Sequence, residues 1–295
     1  MMKTGTAVLL LSAAALALAQ TGPVHNLASN IKQYTAQEDA QILKEFEGLR
    51  NSDVVDGLDA VGVMDQTWMD PEIKPMWRDE VNFKHRMYGV ARTVRLVPPQ
   101  TRAPGSALLT VEQYAKWAAE LEKLGFDPIY GLARRGGPGP AKPAAAKPPA
   151  PSRTNTVLVV DSRGTRDNGY CGSNNAEAWM LAGMRGLVTE TGCRDSDEDI
   201  KQRIPIYQRF STRGVNQGRM LVESTNDVVV VGGVTVYPGD IIVGDSDGVV
   251  VVPREKALAV ARAAQKVQEG DKAGRRKMYE QMGLPQDFST LPRKQ

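Results

Sequence analysis

The sequence predicts a mixed α/β fold, and three observations support this prediction. Residues 156–189 contain an apolar strand, a glycine-rich turn, a helix and a second apolar strand, which is the pattern of a βαβ unit. Residues 228–252 contain four valine-rich runs separated by Gly, Pro and Asp turns, which are typical of β-hairpins. Pro253 then opens a long helical pattern over residues 254–282, because proline is favoured at the first position of a helix. We expect the hairpins to form a second sheet packed on the first.

The segments before the βαβ unit add two helices and one strand. Apolar residues recur at helical spacing over Thr35–Leu49, and a second helix is expected over Asp53–Ala60 with Ser52 as its N-cap. Residues Tyr88–Val97 alternate in a β-rich pattern and should form a strand that Pro98 ends. The C-terminal helix is expected to present one apolar face, formed by Ala257, Leu258, Val260, Ala261, Ala264 and Val267.

One domain should span residues 35–282, interrupted by an insertion over residues 100–155. Within the insertion, residues 110–124 predict a helix, and residues 136–151 are a Pro/Ala/Gly/Lys tract that cannot bury a core. We expect the insertion to be a surface excursion, because the segments before it hold too few strands to close a sheet. Residues 20–34 and 283–295 are expected to be a flexible N-terminus and a C-terminal tail.

The N-terminus has the organisation of a secretory signal peptide. Lys3 supplies the positive region, residues 7–19 are apolar, and Ala17 and Ala19 fit the small-residue cleavage rule. The apolar run is short for a membrane span, although an uncleaved anchor is the alternative. We predict cleavage after Ala19 and export to a periplasm or the extracellular space, with no membrane contact afterwards.

Composition and charge narrow the function classes. The chain has 295 residues, of which 41% are hydrophobic and 24% charged, which is ordinary for a globular protein. A net charge of +3 without a basic, aromatic-interleaved stripe does not favour a nucleic-acid partner. The two cysteines, Cys171 and Cys193, can form at most one disulfide, and the alternative is a pair of small buried thiols.

The first candidate site element is the glycine- and asparagine-rich turn that opens the helix of the βαβ unit. Its residues Gly172, Ser173, Asn174 and Asn175 would present backbone amides at a helix N-terminus, where anions are favoured. An ordinary Asx-type helix start is the alternative interpretation.

The second element is the turn that follows the second strand and contains Arg194 and Asp195. Arginine offers a planar fork that matches a carboxylate, and aspartate is a hard oxygen ligand suited to hydrated Mg²⁺. A surface salt bridge, or a helix cap made by Asp195, is the alternative. Because the carboxyl ends of neighbouring parallel strands meet at one edge of a sheet, we expect both turns to share a crevice.

The remaining motifs give little indication of a metal or catalytic site. Residues 245–248 resemble the opening of a calcium loop, but the remaining ligands are missing and a tight hairpin turn is expected. His25 and His85 are the only histidines, and neither lies at metal-ligand spacing. No Ser-His-Asp set is visible.

Several segments, taken in order, resemble the RraA-like family. They are residues 56–59 (DGLD), 73–75 (IKP), 89–94 (GVARTV), 192–195 (GCRD), and the glycine-, proline- and valine-rich stretch from Gly232 to Pro253. This family includes the regulator of ribonuclease activity A and the 4-hydroxy-4-methyl-2-oxoglutarate aldolase/oxaloacetate decarboxylase enzymes. The resemblance covers most of residues 37–282 apart from the insertion.

The resemblance implies an α-β-β-α sandwich of the swivelling β/β/α type, assembled as homotrimers or homohexamers. It implies a Mg²⁺- or Mn²⁺-dependent class II pyruvate aldolase that cleaves a small 2-oxo acid through a pyruvate enolate. Arg194 would bind the substrate and stabilise the enolate, Asp195 would ligate the metal, and the amides near Asn174 and Asn175 would hold the carboxylate. Glu269 would reach the site of a neighbouring subunit.

The chain departs from the aldolase pattern at Ser173. Aldolase members carry an acidic residue there, which positions the proton-donating water, whereas a hydroxyl can hold water but supplies no charge. The alternative function is therefore a non-catalytic, exported, oligomeric binding or regulatory protein, similar in kind to the ribonuclease regulators.

Overall fold

The computed structural model describes residues 32, 34–83, 85–98, 155–163, 165–216 and 219–293, together with the isolated positions 112, 116 and 119. The expected signal peptide, most of the insertion and its low-complexity tract lie outside the described residues. Glu112, Lys116 and Ala119, which fall within the helix expected over residues 110–124, are helical.

Five α-helices are present in the described residues: α1 (Ala36–Phe46), α2 (Asn51–Ala60), α3 (Ser173–Leu181), α4 (Ser196–Lys201) and α5 (Ala257–Met282). A short 3₁₀ helix, Arg254–Lys256, precedes α5. None of the described helices is long and apolar enough to cross a bilayer.

Except for β2 (Met87–Val97), the β-strands are short. They are β1 (Lys74–Pro75), β2 (Met87–Val97), β3 (Thr156–Asp161), β4 (Asn168–Gly169), β5 (Gly186–Thr189), β6 (Ile206–Gln208), β7 (Gly214–Val215), β8 (Leu221–Thr225), β9 (Val229–Val231), β10 (Val234–Val236), β11 (Ile241–Asp245) and β12 (Gly248–Val252).

Eight strands form one mixed sheet in the order β1-β6-β5-β3-β2-β11-β12, with β8 paired to β2. The central strands β2, β3, β5 and β6 are parallel, whereas β11 and β12 are antiparallel additions. The two ends of the order approach each other, because Trp68 forms a bridge with Val250 and the Met69 amide donates to the Val249 carbonyl at 3.0 Å. The sheet therefore curls round an apolar interior.

The central strands are buried almost continuously, as expected for a sheet covered on both faces, and successive residues point to opposite faces. In β3, Val157 and Val159 join the interior cluster, whereas Leu158 and Val160 pack with the cluster around α3. A third cluster lies on the outer face of β11 and β12, against α1, α2 and α5. The molecule is thus a mixed α/β fold with helices packed outside a curled sheet.

The predicted βαβ unit is confirmed. Strand β5 occupies residues 186–189 as expected, β3 and β5 pair in parallel, and α3 connects them. The predicted strand over Tyr88–Val97 is confirmed with one added residue, Met87. The tight hairpin turn at residues 245–248 is also confirmed, since the Asp245 carboxylate accepts a hydrogen bond from the Asp247 amide at 2.9 Å.

Four details of the sequence prediction are wrong. The hairpins do not form one separate second sheet. Ile241 pairs with Val90, so β11 and β12 extend the main sheet. Of the hairpin strands, β9 and β10 alone form a separate two-stranded sheet. Ser52 lies inside α2, whose N-cap is Arg50. The sequence after the βαβ unit predicts a strand over residues 204–211, but the strand there, β6, covers only residues 206–208. Leu258 is 43% exposed, because α5 turns toward the sheet the face formed by Ala257, Val260, Ala261 and Ala264.

Candidate active site

The first turn of the site ends at Gly172, the N-cap of α3. Gly172 has an extended backbone (φ −117°, ψ 175°), and its carbonyl accepts the amides of Asn175 at 3.1 Å and Ala176 at 3.2 Å. The amides at the start of a helix have no partner in the preceding turn, so those of Ser173 and Asn174 face outward from the first turn. Ser173 is buried and Asn174 is exposed, and the helix start therefore has one covered and one open polar side chain.

The second turn runs from Glu190 to Asp195 and lies beside the first. The Tyr170 amide donates to the Gly192 carbonyl at 2.9 Å, and the Arg194 amide donates to the Cys171 carbonyl at 3.0 Å. These two backbone hydrogen bonds join the turns directly. The prediction that the βαβ crossover brings both turns to one edge of the sheet is therefore confirmed.

The two turns meet most closely between Gly172 and Asp195. A Cβ atom placed on Gly172 would lie 2.2 Å from Asp195 Oδ2 and 3.3 Å from Arg194 Nε. A side chain at this position would displace the Asp195 carboxylate, so glycine is what allows the observed close approach. Arg194 Nε lies 3.6 Å from Asp195 Oδ2, and both side chains are partly exposed, at 41% and 37%. The cation, the carboxylate and the helix N-terminus thus surround one open crevice.

Asp195 has a left-handed backbone, with φ 63° and ψ 41°. This conformation is uncommon for a residue other than glycine, although aspartate tolerates it better than most. The residue precedes α4, yet its side chain makes no capping hydrogen bond to that helix. Asp195 is the N-cap residue of α4 through its backbone carbonyl, which accepts the Asp199 amide at 3.2 Å, but not through its side chain. The contact of its carboxylate with Arg194 also matches the alternative of a surface salt bridge, so the role of Asp195 as a metal ligand stays a prediction.

The sequence interpretation missed Asp199, which lies one helical turn after Asp195. Asp199 is fully buried, and neither carboxylate oxygen has a hydrogen-bond partner. Burial, followed by the nearby charges of Asp195 and Glu198, raises the pKa of Asp199 to about 7. The neighbouring Ile200 is 42% exposed, so α4 turns an acid inward and an apolar residue outward. No pattern in the sequence of this short acidic helix signals that Asp199 is the buried carboxylate.

The donor set suits a hydrated hard cation and does not suit a metal enclosed by protein ligands. Among the described residues no group of three or more His, Cys, Asp or Glu side chains could hold a metal ion. Mg²⁺ keeps several waters and commonly takes one or two carboxylates, which Asp195 can supply from its exposed position. The buried, unpartnered oxygens of Asp199 lie one turn behind it. Asp195 therefore fits Mg²⁺ or Mn²⁺ as a single protein ligand.

A buried ion pair fixes the base of the second turn. Glu190, 3% exposed, accepts Arg209 Nε at 2.8 Å and the Gly232 amide at 2.5 Å. Arg209 also donates to Asp70 at 2.9 Å and to Glu72 at 3.0 Å. These contacts tie the end of β5 to the β9–β10 hairpin and hold the turn that carries Arg194 in place.

Glu269 is not part of this crevice within one chain. It lies on α5, where its carboxylate accepts the Arg293 amide at 2.9 Å. It lines a separate cleft of about 940 Å³, formed by α5, the segment around Gly48 and the C-terminal tail. The structure therefore brings together Gly172, Arg194 and Asp195 but leaves Glu269 elsewhere, and its expected role across a subunit interface stays a prediction.

Comparison with known proteins shows that part of this chain is similar to one family. Residues 138–251 match the family model described as RraA-like, Aldolase/RraA. A protein of Halalkalibacterium halodurans, provisionally named a 4-hydroxy-4-methyl-2-oxoglutarate aldolase, is 31% identical over 120 residues, which are 41% of this chain and 57% of that protein. The match thus spans less than two thirds of that relative.

Two solved structures share the fold. An uncharacterized protein of Pseudomonas syringae pv. tomato is similar with a TM-score of 0.55 and 21% identity, over 88% of this chain and all of that one (100%). RraAS2 of Streptomyces coelicolor, described as an unusual member of the RNase ES inhibitor RraA protein family, gives a TM-score of 0.56 and 19% identity, over 83% and 98% of the two chains. At these identities the likeness concerns the fold alone. The family-model match confirms the resemblance found in the sequence for residues 138–251, which are similar to the RraA-like family.

Proposed function

We propose that this protein is a divalent-metal-dependent carbon–carbon lyase that cleaves a small 2-oxo acid, as an aldolase or decarboxylase, through a pyruvate enolate. The observation that carries the proposal is the convergence of three features at one crevice. Gly172 brings the N-terminus of α3 against the Asp195 carboxylate, with Arg194 Nε on the same side. An anion site, a fixed cation and a hard metal ligand are the parts that such a reaction needs.

Each group has a role that follows from its chemistry. The amides at the start of α3 receive the substrate carboxylate, because a helix N-terminus carries partial positive charge. Arg194 donates to the 2-oxo group and balances the negative charge that develops there as the carbon–carbon bond breaks. Asp195 would hold Mg²⁺ or Mn²⁺, and the bound ion would supply Lewis-acid polarisation of the same oxygen.

Ser173 determines how closely the proposed mechanism matches that of the aldolases this chain resembles. Ser173 is the first residue of α3 and is 7% exposed. In that place a hydroxyl can orient one water toward the substrate, where the aldolases use a carboxylate. We propose that Ser173 positions the water that returns a proton to the enolate. The expected rate is below that of an enzyme with an acid in this position.

The family supports this proposal at a coarser level. The Halalkalibacterium relative is provisionally named an aldolase, and the family description also contains that word. A small-molecule substrate and self-association, as a homotrimer or homohexamer, are proposed on the same resemblance. Glu269 would then contribute from α5 of a neighbouring subunit. We also propose that the protein acts outside the cytoplasm, as the N-terminal segment predicts.

Ser173 favours a second candidate function. A crevice that binds an oxo acid without an acid to position water could serve a non-catalytic binding or regulatory protein. The Streptomyces neighbour is itself described as a member of a family of RNase inhibitors. The retained pair of Arg194 and Asp195 favours the enzyme, because a regulator that acts by surface contact needs neither.

The test is a pyruvate-release assay across a panel of small 2-oxo acids, with oxaloacetate and a 4-hydroxy-2-oxo diacid as first members. The purified mature protein is assayed with added Mg²⁺ or Mn²⁺ and again with a chelator. We expect turnover of at least one member that depends on the added metal. Binding of pyruvate without turnover of any member would favour the binding protein instead.

A further inference from the structure

Both cysteines of the chain lie in the two turns that form the candidate site. Cys171 immediately precedes Gly172, and Cys193 immediately precedes Arg194. They are buried, at 3% and 0% exposure, and their sulfur atoms lie 3.0 Å apart. In a chain with only two cysteines, this placement leaves each thiol one possible partner.

The backbone holds the two residues side by side. The Arg194 amide donates to the Cys171 carbonyl at 3.0 Å, so the backbones of the two turns are already joined at this point. On the far side, the Cys193 amide donates to Gln208 Oε1 at 2.8 Å, and the Cys193 carbonyl accepts the Thr212 amide at 3.0 Å. A bond between the sulfurs therefore requires them to close by about 1 Å from their present 3.0 Å separation, while the hydrogen bonds hold the two turns together.

We infer that Cys171 and Cys193 form an intramolecular disulfide that fastens the N-terminal turn of α3 to the turn carrying Arg194 and Asp195. The reaction is exchange with a small-molecule or protein disulfide. One thiolate attacks that disulfide and releases one thiol, and the second thiolate then displaces the other. Two protons and two electrons leave the cysteine pair, and the oxidant becomes two thiols.

Burial decides when the crosslink forms. Both thiols are buried in the packed turns, at 3% and 0% exposure. Because thiol–disulfide exchange requires direct contact between an attacking thiolate and a disulfide sulfur, both formation and reduction are slow once the turns are packed. The bond is therefore made while the chain folds, and afterwards it is a structural link that resists reductants.

The crosslink has a consequence that rests on the proposed function. It connects residues 22 positions apart across the base of the crevice, so it restricts the distance between the anion site and Asp195. The proposed reaction needs these groups at a fixed separation, because small displacements reduce catalysis steeply. We expect the reduced protein to keep its fold but to bind metal and substrate less well.

Thiol labelling tests the crosslink independently of activity. The protein is folded in the presence of oxidised glutathione, unfolded in denaturant without reductant, treated with a maleimide and analysed by intact mass spectrometry. We expect a mass lower by two hydrogens than the reduced chain, no maleimide adduct before reduction and two after it. Two adducts before reduction would overturn the inference, and turnover of a 2-oxo acid in that same sample would leave the proposed function standing.

Variants provide a second measurement. The Cys171→Ser, Cys193→Ser and double variants should all melt roughly 5–10 °C below the oxidised protein, because each removes the same restraint on the unfolded chain. Reductant added before refolding should lower the melting temperature of the unsubstituted protein in the same way and leave the double variant unchanged. A melting temperature of the unsubstituted protein that is the same with and without reductant during refolding would contradict a structural disulfide.

Discussion

Gly172 and Asp195 lie so close that a single methyl group on Gly172 would come within 2.2 Å of the Asp195 carboxylate. The two residues lie in the turns that follow the adjacent parallel strands β3 and β5, because the α3 crossover returns the chain to the same edge of the sheet. This contact places a carboxylate at a helix N-terminus. Its consequences, and those of the arginine, the serine and a buried histidine, can be measured.

The close approach predicts a specific effect of Gly172→Ala. The new methyl group would meet the end of a flexible, partly exposed side chain, so the fold should tolerate it while the Asp195 carboxylate moves away. We expect circular dichroism and melting temperature close to those of the unsubstituted protein, with metal-dependent activity reduced by at least about tenfold.

The matched control for this variant is Gly270→Ala. Gly270 lies inside α5, and nothing lies within 4 Å of a Cβ atom placed there. Alanine should stabilise the helix by roughly 0.5–1 kcal/mol without changing activity. Equal activity in the two glycine variants would show that the contact with Asp195 is unimportant.

Arg194→Lys tests the proposed cation. An ammonium group keeps the charge but cannot form the planar, two-pronged contact of a guanidinium with a carboxylate or enolate. We expect kcat to fall about 10²–10³-fold, equivalent to roughly 2.7–4 kcal/mol, with a smaller change in KM, because the contact strengthens in the transition state. The exposed Arg203 provides the control, since Arg203→Lys should leave both constants unchanged.

Variants at Ser173 test whether this position orients the catalytic water. An aspartate there would lie in the first turn of α3, where the helix dipole favours a negative charge. We expect pyruvate release to be kept or raised in Ser173→Asp and lowered in Ser173→Ala, with steady-state kinetics as the measurement. The reverse order would indicate that the chemistry differs from that of the aldolases.

His85 predicts how stability depends on pH. It is buried, its ring stacks on Tyr207 and packs at a tilt against Trp77, and neither ring nitrogen has a hydrogen-bond partner. Burial lowers the pKa of His85 from 6.5 to about 4, so between these values the unfolded chain binds a proton that the folded protein does not. Stability should therefore fall as the pH drops below 6.5, by about 2 kcal/mol at pH 5.

His85→Phe isolates this effect. The aromatic stacking is retained, but no group remains to take up a proton. The loss of melting temperature between pH 8 and pH 5 should therefore be smaller in the variant by several degrees. An identical pH dependence in both proteins would show that His85 titrates normally in the fold.

The sequence predicted the parts of the fold that depend on local pattern. The βαβ unit, the strand over Tyr88–Val97 and the hairpin turn at Asp245 follow from periodicity and turn residues, and all three are confirmed. The placement of β11 beside β2 was missed, because strand pairing over a long separation leaves no local signal. The N-cap of α2 was also misplaced, since Arg50 and Asp53 form a capping arrangement that a search for Ser or Thr overlooks.

The candidate site, like the fold, was predicted from the sequence only in part. The sequence named Gly172, Arg194 and Asp195, and the parallel strands bring them together as expected. It did not identify Asp199, because a single aspartate in an acidic helix is expected to face water. Its burial depends on how α4 packs, which no pattern within that six-residue helix reveals.

The central claim is that Asp195 holds the metal used in breaking a carbon–carbon bond. The most direct measurement is the initial rate of pyruvate release with and without Mg²⁺, for the unsubstituted protein and for Asp195→Ala, with the exposed neighbour variant Asp197→Ala as control. We predict metal-stimulated release in the unsubstituted protein and in Asp197→Ala, and none in a folded Asp195→Ala. Equal metal-stimulated rates in all three proteins would contradict this claim.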